Sequence, residues 1–361
     1  MKSSVYKCAA VGLITLMAVF AAAAQTKGNL FRGSVGDKKV AMELKRDGGS
    51  LSGTYYYLKS GAANKLTLKG TIAADGSFKM QETDASGKQT GEFAGKWKES
   101  DYESGIALEG TWVKPGQTDN NTGFYAWEQM IDFVKTQITT REIKESLKVK
   151  KAEISAEYPE LSGSANAAGF NSAAKAAVLK AIGVFKKDLS TMTAADLKLM
   201  SANGMGSYID VGYNVEYADD DLISVNFSTD YFMGGAHPSH DTFTLTYDLK
   251  SGKELTLASL FKPGSKYLNT IATLSVADLK ARKDPDSGES LGLLSDGVFV
   301  DGAKPTAANY HNWNITKKGL MFTFVQYQVA SYAEGPQTVI VPYAKLKPMA
   351  AANGPLAKWM K

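Results

Sequence analysis

Between Asn29 and Lys114, apolar and polar positions alternate in short runs separated by turn signals. Asp47-Gly48-Gly49, Asp75-Gly76 and Ser86-Gly87 each suit a tight hairpin with positive φ. An apolar-x-Gly-polar-apolar pattern recurs around Gly53, Gly70, Gly95 and Gly110 at irregular spacing, which argues against a solenoid. A glycine inside a strand marks a bend or a close backbone approach. Residues 29–114 are therefore predicted to form an all-β domain, an antiparallel meander or small barrel. Its aromatic residues either fill the core or line a ligand pocket.

Pro115 to Gly123 lacks apolar periodicity and is dense in turn residues, so 115–123 reads as an interdomain linker. Phe124, Trp127, Ile131, Val134 and Ile138 follow at steps of three or four and predict a helix leading into a second domain, 124–361. There Ile154, Ala156 and Tyr158 alternate as a strand ending at Pro159, and Phe170 to Leu189 forms a long amphipathic helix. Thr193 with Asp196 makes an imperfect capping box. Val211 to Tyr217 and Ile223 to Phe227 alternate around Asp219-Asp220-Asp221, the signature of a hairpin. Phe243 to Leu249 is a further strand, Leu268 to Ser275 a second helix, and Leu320–Gln326 and Thr338–Val341 close the domain. This order predicts an α+β domain with an antiparallel sheet and helices on one face.

The first 24 residues change the picture most. Lys2 and Lys7 form a basic start, Ala9–Phe20 is apolar, and Ala21–Ala24 offers small-residue cleavage sites, as in a secretory signal peptide. Cys8 precedes the apolar run, so a lipid anchor is not expected. The expected address is periplasmic or secreted, with no transmembrane segment. About 337 residues would remain, enough for two domains. The formal charge of +4 falls with loss of Lys2 and Lys7, leaving no electrostatic footprint for nucleic acid. The single cysteine would leave with the signal, so neither disulfides nor thiol chemistry is expected.

Within the second domain lie four segments: Tyr158 to Gly163, Gly234-Gly235-Ala236-His237-Pro238, Asp248 to Phe261, and Tyr327 to Gln337. Their order and spacing over about residues 145–347 resemble the extracytoplasmic domain of RsiV-type lysozyme-sensing anti-sigma factors, shared with the non-catalytic region of PdaC-type peptidoglycan deacetylases. The resemblance implies an α+β envelope domain and, as partner, peptidoglycan or a lysozyme-like protein. It carries over no deacetylase chemistry, because no polysaccharide-deacetylase domain is present.

Gly234, Gly235 and His237 read either as a constrained turn, with the imidazole bonded to a neighbouring carbonyl, or as part of a binding or catalytic loop. Tyr327, Tyr332 and Gln337 either leave the core through an ordered loop or present stacking and hydrogen-bonding groups to a glycan or protein. These six are the candidate binding residues. His237 and His240, with Asp241 beside them and His311 elsewhere, offer enough imidazole for zinc, but Pro238 disrupts the helical spacing a ligand pair would use, and no metal or cofactor is expected. Asp219–Asp221 and Asp284–Glu289 lack the full alternation of a calcium loop and read as solvated turns. No nucleophile elbow, phosphate loop or HExxH helix occurs. The sequence therefore points to a non-catalytic envelope binding protein. The alternative is an envelope hydrolase acting on cell-wall glycan with His237 as general base.

Overall fold

The computed structural model describes residues 28–99, 104–117, 122–202, 206–284, 287–295 and 297–360. The signal-peptide reading of residues 1–24 lies outside them.

Eight antiparallel strands close into a barrel: β1 Asn29–Val35, β2 Lys38–Asp47, β3 Ser50–Tyr57, β4 Leu66–Ile72, β5 Ser77–Thr83, β6 Gln89–Glu99, β7 Ile106–Val113 and β8 Thr122–Gln129. The expected turn glycines Gly48, Gly76 and Gly87 all adopt positive φ. The four repeated glycines mark close backbone approach: a Cβ on Gly53, Gly70, Gly95 or Gly110 would sit within about 2 Å of a carbonyl oxygen on the neighbouring strand. Inside, Phe93 packs edge-on against Tyr55 and Phe124, with ring centroids 5.4 and 4.9 Å apart, so aromatic residues fill the barrel core. The buried carboxylate of Glu82 accepts hydrogen bonds from Tyr55, Thr90 and Trp112.

The predicted helix from Phe124 to Ile138 does not form. Phe124 and Ala126 point into the barrel core while Tyr125 and Trp127 point out, a period of two that makes β8 the closing strand between β1 and β7. The barrel thus takes in residues beyond the expected 115–123 boundary. The chain then runs directly onto the second sheet. Met130 N–H donates to Val215 O at 2.9 Å, while Ala218 N–H donates to Met130 O and Asp132 N–H to Ala218 O, each at 2.8 Å.

The second sheet has the order β14-β13-β12-β11-β10-β9. Its strands are β9 Gln137–Leu147, β10 Ala152–Ser162, β11 Ser207–Asp219, β12 Leu222–Phe232, β13 Ser239–Asp248 and β14 Lys253–Glu254. One pair departs from the antiparallel expectation. β10 and β11 run parallel, because α1 Ala167–Thr191 and α2 Ala194–Ala202 lie between them as a crossover. The capping box at Thr193 forms despite the shorter acid: Asp196 accepts from Thr193 N–H at 2.8 Å, and Thr193 Oγ1 accepts from Asp196 N–H at 3.2 Å. β10 also continues through Pro159. The β10–β11 ladder stops at Ala156 and Val211, so a missing N–H farther along costs no bond on that edge.

α1 buries Phe170, Ala174, Val178, Ile182, Phe185 and Leu189 on the apolar face of this sheet. Instead of joining it, the last strands form a separate antiparallel sheet: β15 Trp313–Ile315, β16 Gly319–Phe324 and β17 Gln337–Pro342. That sheet shares its own core with α3 Tyr267–Ala281. The result is an all-β barrel followed by an α+β region dominated by strands.

Candidate functional site

Alternation in β11, β12 and β13 gives the six-stranded sheet two unlike faces. Val211, Tyr213, Val215, Val225, Phe227 and Leu245 belong to the apolar core with α1. Their polar neighbours in the chain form cross-strand rows on the opposite face: Asp210–Asp230–His240, Gly212–Ser228–Thr242 and Asn214–Asn226–Thr244. Most of these polar residues line a cleft of about 1020 Å³. Arg32, Lys39, Tyr125 and Trp127 of the barrel form one wall, and Thr323, Gln326 and Thr338 contribute from the three-stranded sheet and its adjoining loop.

Tyr125 and Trp127 are 51% and 36% exposed, on the outer face of β8. Beside them Arg32 reaches over the junction. It donates to Glu157 Oε2 at 2.8 Å and to the Tyr213 hydroxyl at 3.1 Å, and also bonds Thr140. Lys39 donates to Asp210 at 3.0 Å and lies 3.7 Å from Glu157. Burial pushes the Tyr213 hydroxyl up, and the Arg32 charge and Thr140 oppose that shift. At the far end the Tyr208 hydroxyl donates to Asp230 at 3.2 Å, and His240 Nδ1 stands 3.8 Å from the same carboxylate. Burial, and then Asp230, raise the Tyr208 hydroxyl.

Five of the six expected binding residues meet near this end. Gly234 and Gly235, at φ 96° and 107°, form the β12–β13 turn that carries His237. His237 Nδ1–H donates to Pro238 O at 2.8 Å, and its ring lies 3.8 Å, centroid to centroid, from Tyr332. The Tyr332 hydroxyl donates to the same Pro238 carbonyl at 2.7 Å, and Tyr327 packs 5.8 Å from Tyr332. His237 is exposed, so it staples the turn from outside rather than satisfying a buried group. Gln337 does not join the cluster. It is buried, accepts from Arg282 at 2.9 Å and donates to Glu334 O at 2.7 Å, which leaves its amide committed to the fold.

The Asp219–Asp221 turn is structural, whereas residues 285 and 286 of the other acidic turn lie outside the described residues. Asp220 accepts the backbone N–H groups of Val134, Lys135 and Thr136, holding the approach to β9. Asp219 binds Lys358 and the Tyr217 hydroxyl.

The cleft floor went unrecognised in the sequence, although its signal was present as the polar half of each alternating strand. Tyr125 and Trp127 were hidden by the accidental helical spacing of Phe124 and Trp127.

A strand-dominated α+β region with a polar, aromatic-walled cleft is the class this architecture defines. Residues 145–240 match the family model described as "Deacetylase PdaC", and residues 258–344 match "Protein of unknown function (DUF3298)". This region is therefore similar to PdaC-type and DUF3298-type domains, the first over residues 145–240 and the second over residues 258–344. Esterase Rv3036c of Mycobacterium tuberculosis is 30% identical over 118 residues, which cover 33% of this chain and 48% of that protein. The chain thus spans about half the length of this curated relative. A solved DUF3298-family structure from Bacteroides fragilis is 22% identical with a TM-score of 0.47, covering 63% of this chain and 97% of that one. Another from Pseudomonas aeruginosa is 13% identical with a TM-score of 0.41, covering 60% and 94%. No helix among the described residues is long and apolar enough to cross a membrane.

Proposed function

We propose that this is a periplasmic or secreted binding protein whose cleft recognises a glycan of the cell envelope, peptidoglycan foremost, without chemical turnover. The observation that carries this reading is the pairing of Tyr125 and Trp127, exposed on one strand face, with the polar rows of the sheet across one cleft. Sugar rings present apolar faces that stack on aromatic rings and hydroxyls that bond planar polar side chains. Co-sedimentation with purified sacculi tests it, with lysozyme pull-down run beside it. Sacculi should retain the protein, and Trp127→Ala should weaken retention about tenfold. Capture by lysozyme alone would make the partner a protein and overturn the glycan reading.

A second reading is acyl-ester hydrolysis, supported by His240 facing Asp230 with Ser228 on the same sheet face, and by the esterase name of the curated relative. Turnover of p-nitrophenyl acetate that disappears in Ser228→Ala would establish it in place of non-catalytic binding.

A further inference from the structure

The cleft's charged groups are unevenly spent. Arg32 and Lys39 are engaged by Glu157 and Asp210, so the cations of the barrel wall are neutralised. Asp230 is not. It is 44% exposed, receives the Tyr208 hydroxyl, and has no lysine or arginine partner among the described residues. In the opposite wall Thr323 is 5% exposed, and its side chain lies on the side of β16 away from core residues Phe322 and Phe324. Its Oγ1 has no hydrogen-bonding partner, and neither has Gln326 Oε1, whose Nε2 donates to Tyr332 O at 3.2 Å. Tyr332 in turn lies 6.2 Å from His240, which places Gln326 and Asp230 at the same end of the cleft.

We propose that this end takes the protonated amine of a deacetylated amino sugar within an envelope glycan, an inference that rests on the glycan-binding reading. A primary ammonium brings three N–H donors and a positive charge and accepts nothing. Asp230 supplies the opposing charge and Gln326 Oε1 an acceptor that the protein leaves unused, with Thr323 Oγ1 a further unused acceptor along the same wall. An N-acetyl group would instead set a carbonyl acceptor toward a carboxylate and offer a single neutral N–H. A lysine-rich peptide carries the same head group, but the Tyr125–Trp127 wall suits the flat face of a pyranose ring.

Calorimetric titration of the full chain tests this with a β-1,4-linked glucosamine tetramer, its N-acetylated counterpart and tetralysine, at physiological ionic strength. The glucosamine tetramer should bind about tenfold more tightly than the acetylated one. Asp230→Asn and Thr323→Val should each cut that preference to about threefold or less, read as the ratio of the two sugar affinities measured on the same variant. Thr323→Val keeps the side chain's shape and removes an unpartnered hydroxyl, so it reports on the ligand rather than on folding. Equal affinity for the two sugars would overturn this inference and leave the glycan reading standing. Tetralysine binding as tightly as the glucosamine tetramer would overturn the sugar as occupant. Binding of neither sugar would overturn both.

Discussion

The Arg32 guanidinium on the outside of the barrel lies 2.8 Å from the Glu157 carboxylate on β10, with side chains only 15% and 7% exposed. The guanidinium also lies 4.2 Å from the centre of the Tyr213 ring. One side chain therefore ties the barrel to three strands of the six-stranded sheet, β9 through Thr140, β10 through Glu157 and β11 through Tyr213, by charge, hydrogen bonding and ring contact. Removing one partner of such a pair strands the other charge. Arg32→Ala is expected to cost about 3 kcal/mol, the low end for a buried pair because Lys39 also reaches Glu157. Chemical denaturation checks this, and the double variant Arg32→Met/Glu157→Gln should recover most of the loss.

Glu216 carries a testable pH dependence. Its carboxyl is buried at the same junction, bonded by Ser104 and Asn214. Burial pushes it above the usual carboxylate range, and the two hydrogen bonds only partly oppose this. A raised value means the folded state holds its proton more tightly than the unfolded chain. Its contribution is thus full below the ordinary glutamate range and lost as pH rises through the folded value. Glu216→Gln should raise the melting temperature by a few degrees at about pH 7.5 and match the parent at about pH 4. Melting curves at the two pH values decide it.

Gly110 faces Gly95 across β6 and β7. A Cβ there would lie 2.1 Å from Ala94 O and 2.6 Å from Gly95 Cα, and backbone cannot swing aside as a flexible side chain can. Gly110→Ala is expected to lose about 3 kcal/mol. Gly123→Ala on β8, where nothing lies within 4 Å, should be nearly neutral. Thermal denaturation of the pair separates close approach from general glycine replacement.

Tyr327 is held at φ 67°, a left-handed conformation that a tyrosine adopts at a cost, and the residue is 58% exposed. Tyr327→Gly should stabilise the fold by about 1 kcal/mol while weakening glycan retention. A melt paired with the sacculus assay checks both directions. Loss of stability with unchanged retention would make the strained ring a packing feature alone.

The strand pairs and long helices were legible because their apolar periodicity is the burial itself: Val211 to Tyr217 and Phe170 to Leu189 sit where alternation and helical spacing placed them. β8 reads as a helix in sequence because Phe124, Trp127, Ile131, Val134 and Ile138 satisfy a helical step by chance. A barrel seven strands wide would leave an open edge, a non-local demand that no local window carries. The β10–β11 parallel pair was equally hidden, since a crossover connection is a tertiary choice. At the site, His237 and Tyr332 converge although 95 positions apart, and their turn and loop chemistry had singled out both segments. Gln337 carried the same local signal, but Arg282, 55 positions away, claims its amide.

The hydrogen bonds from Met130 to Asp132 onto β11 join the barrel wall of the cleft to its floor through main chain. Closing these walls on a ligand, as hinged domains do, would require breaking that continuity. The slot behaves as a fixed gauge rather than a jaw. On the glycan reading proposed above, thickness is thereby a criterion of admission: a slim saccharide strand would lie along the floor, whereas a bulky substituent would project through the open mouth.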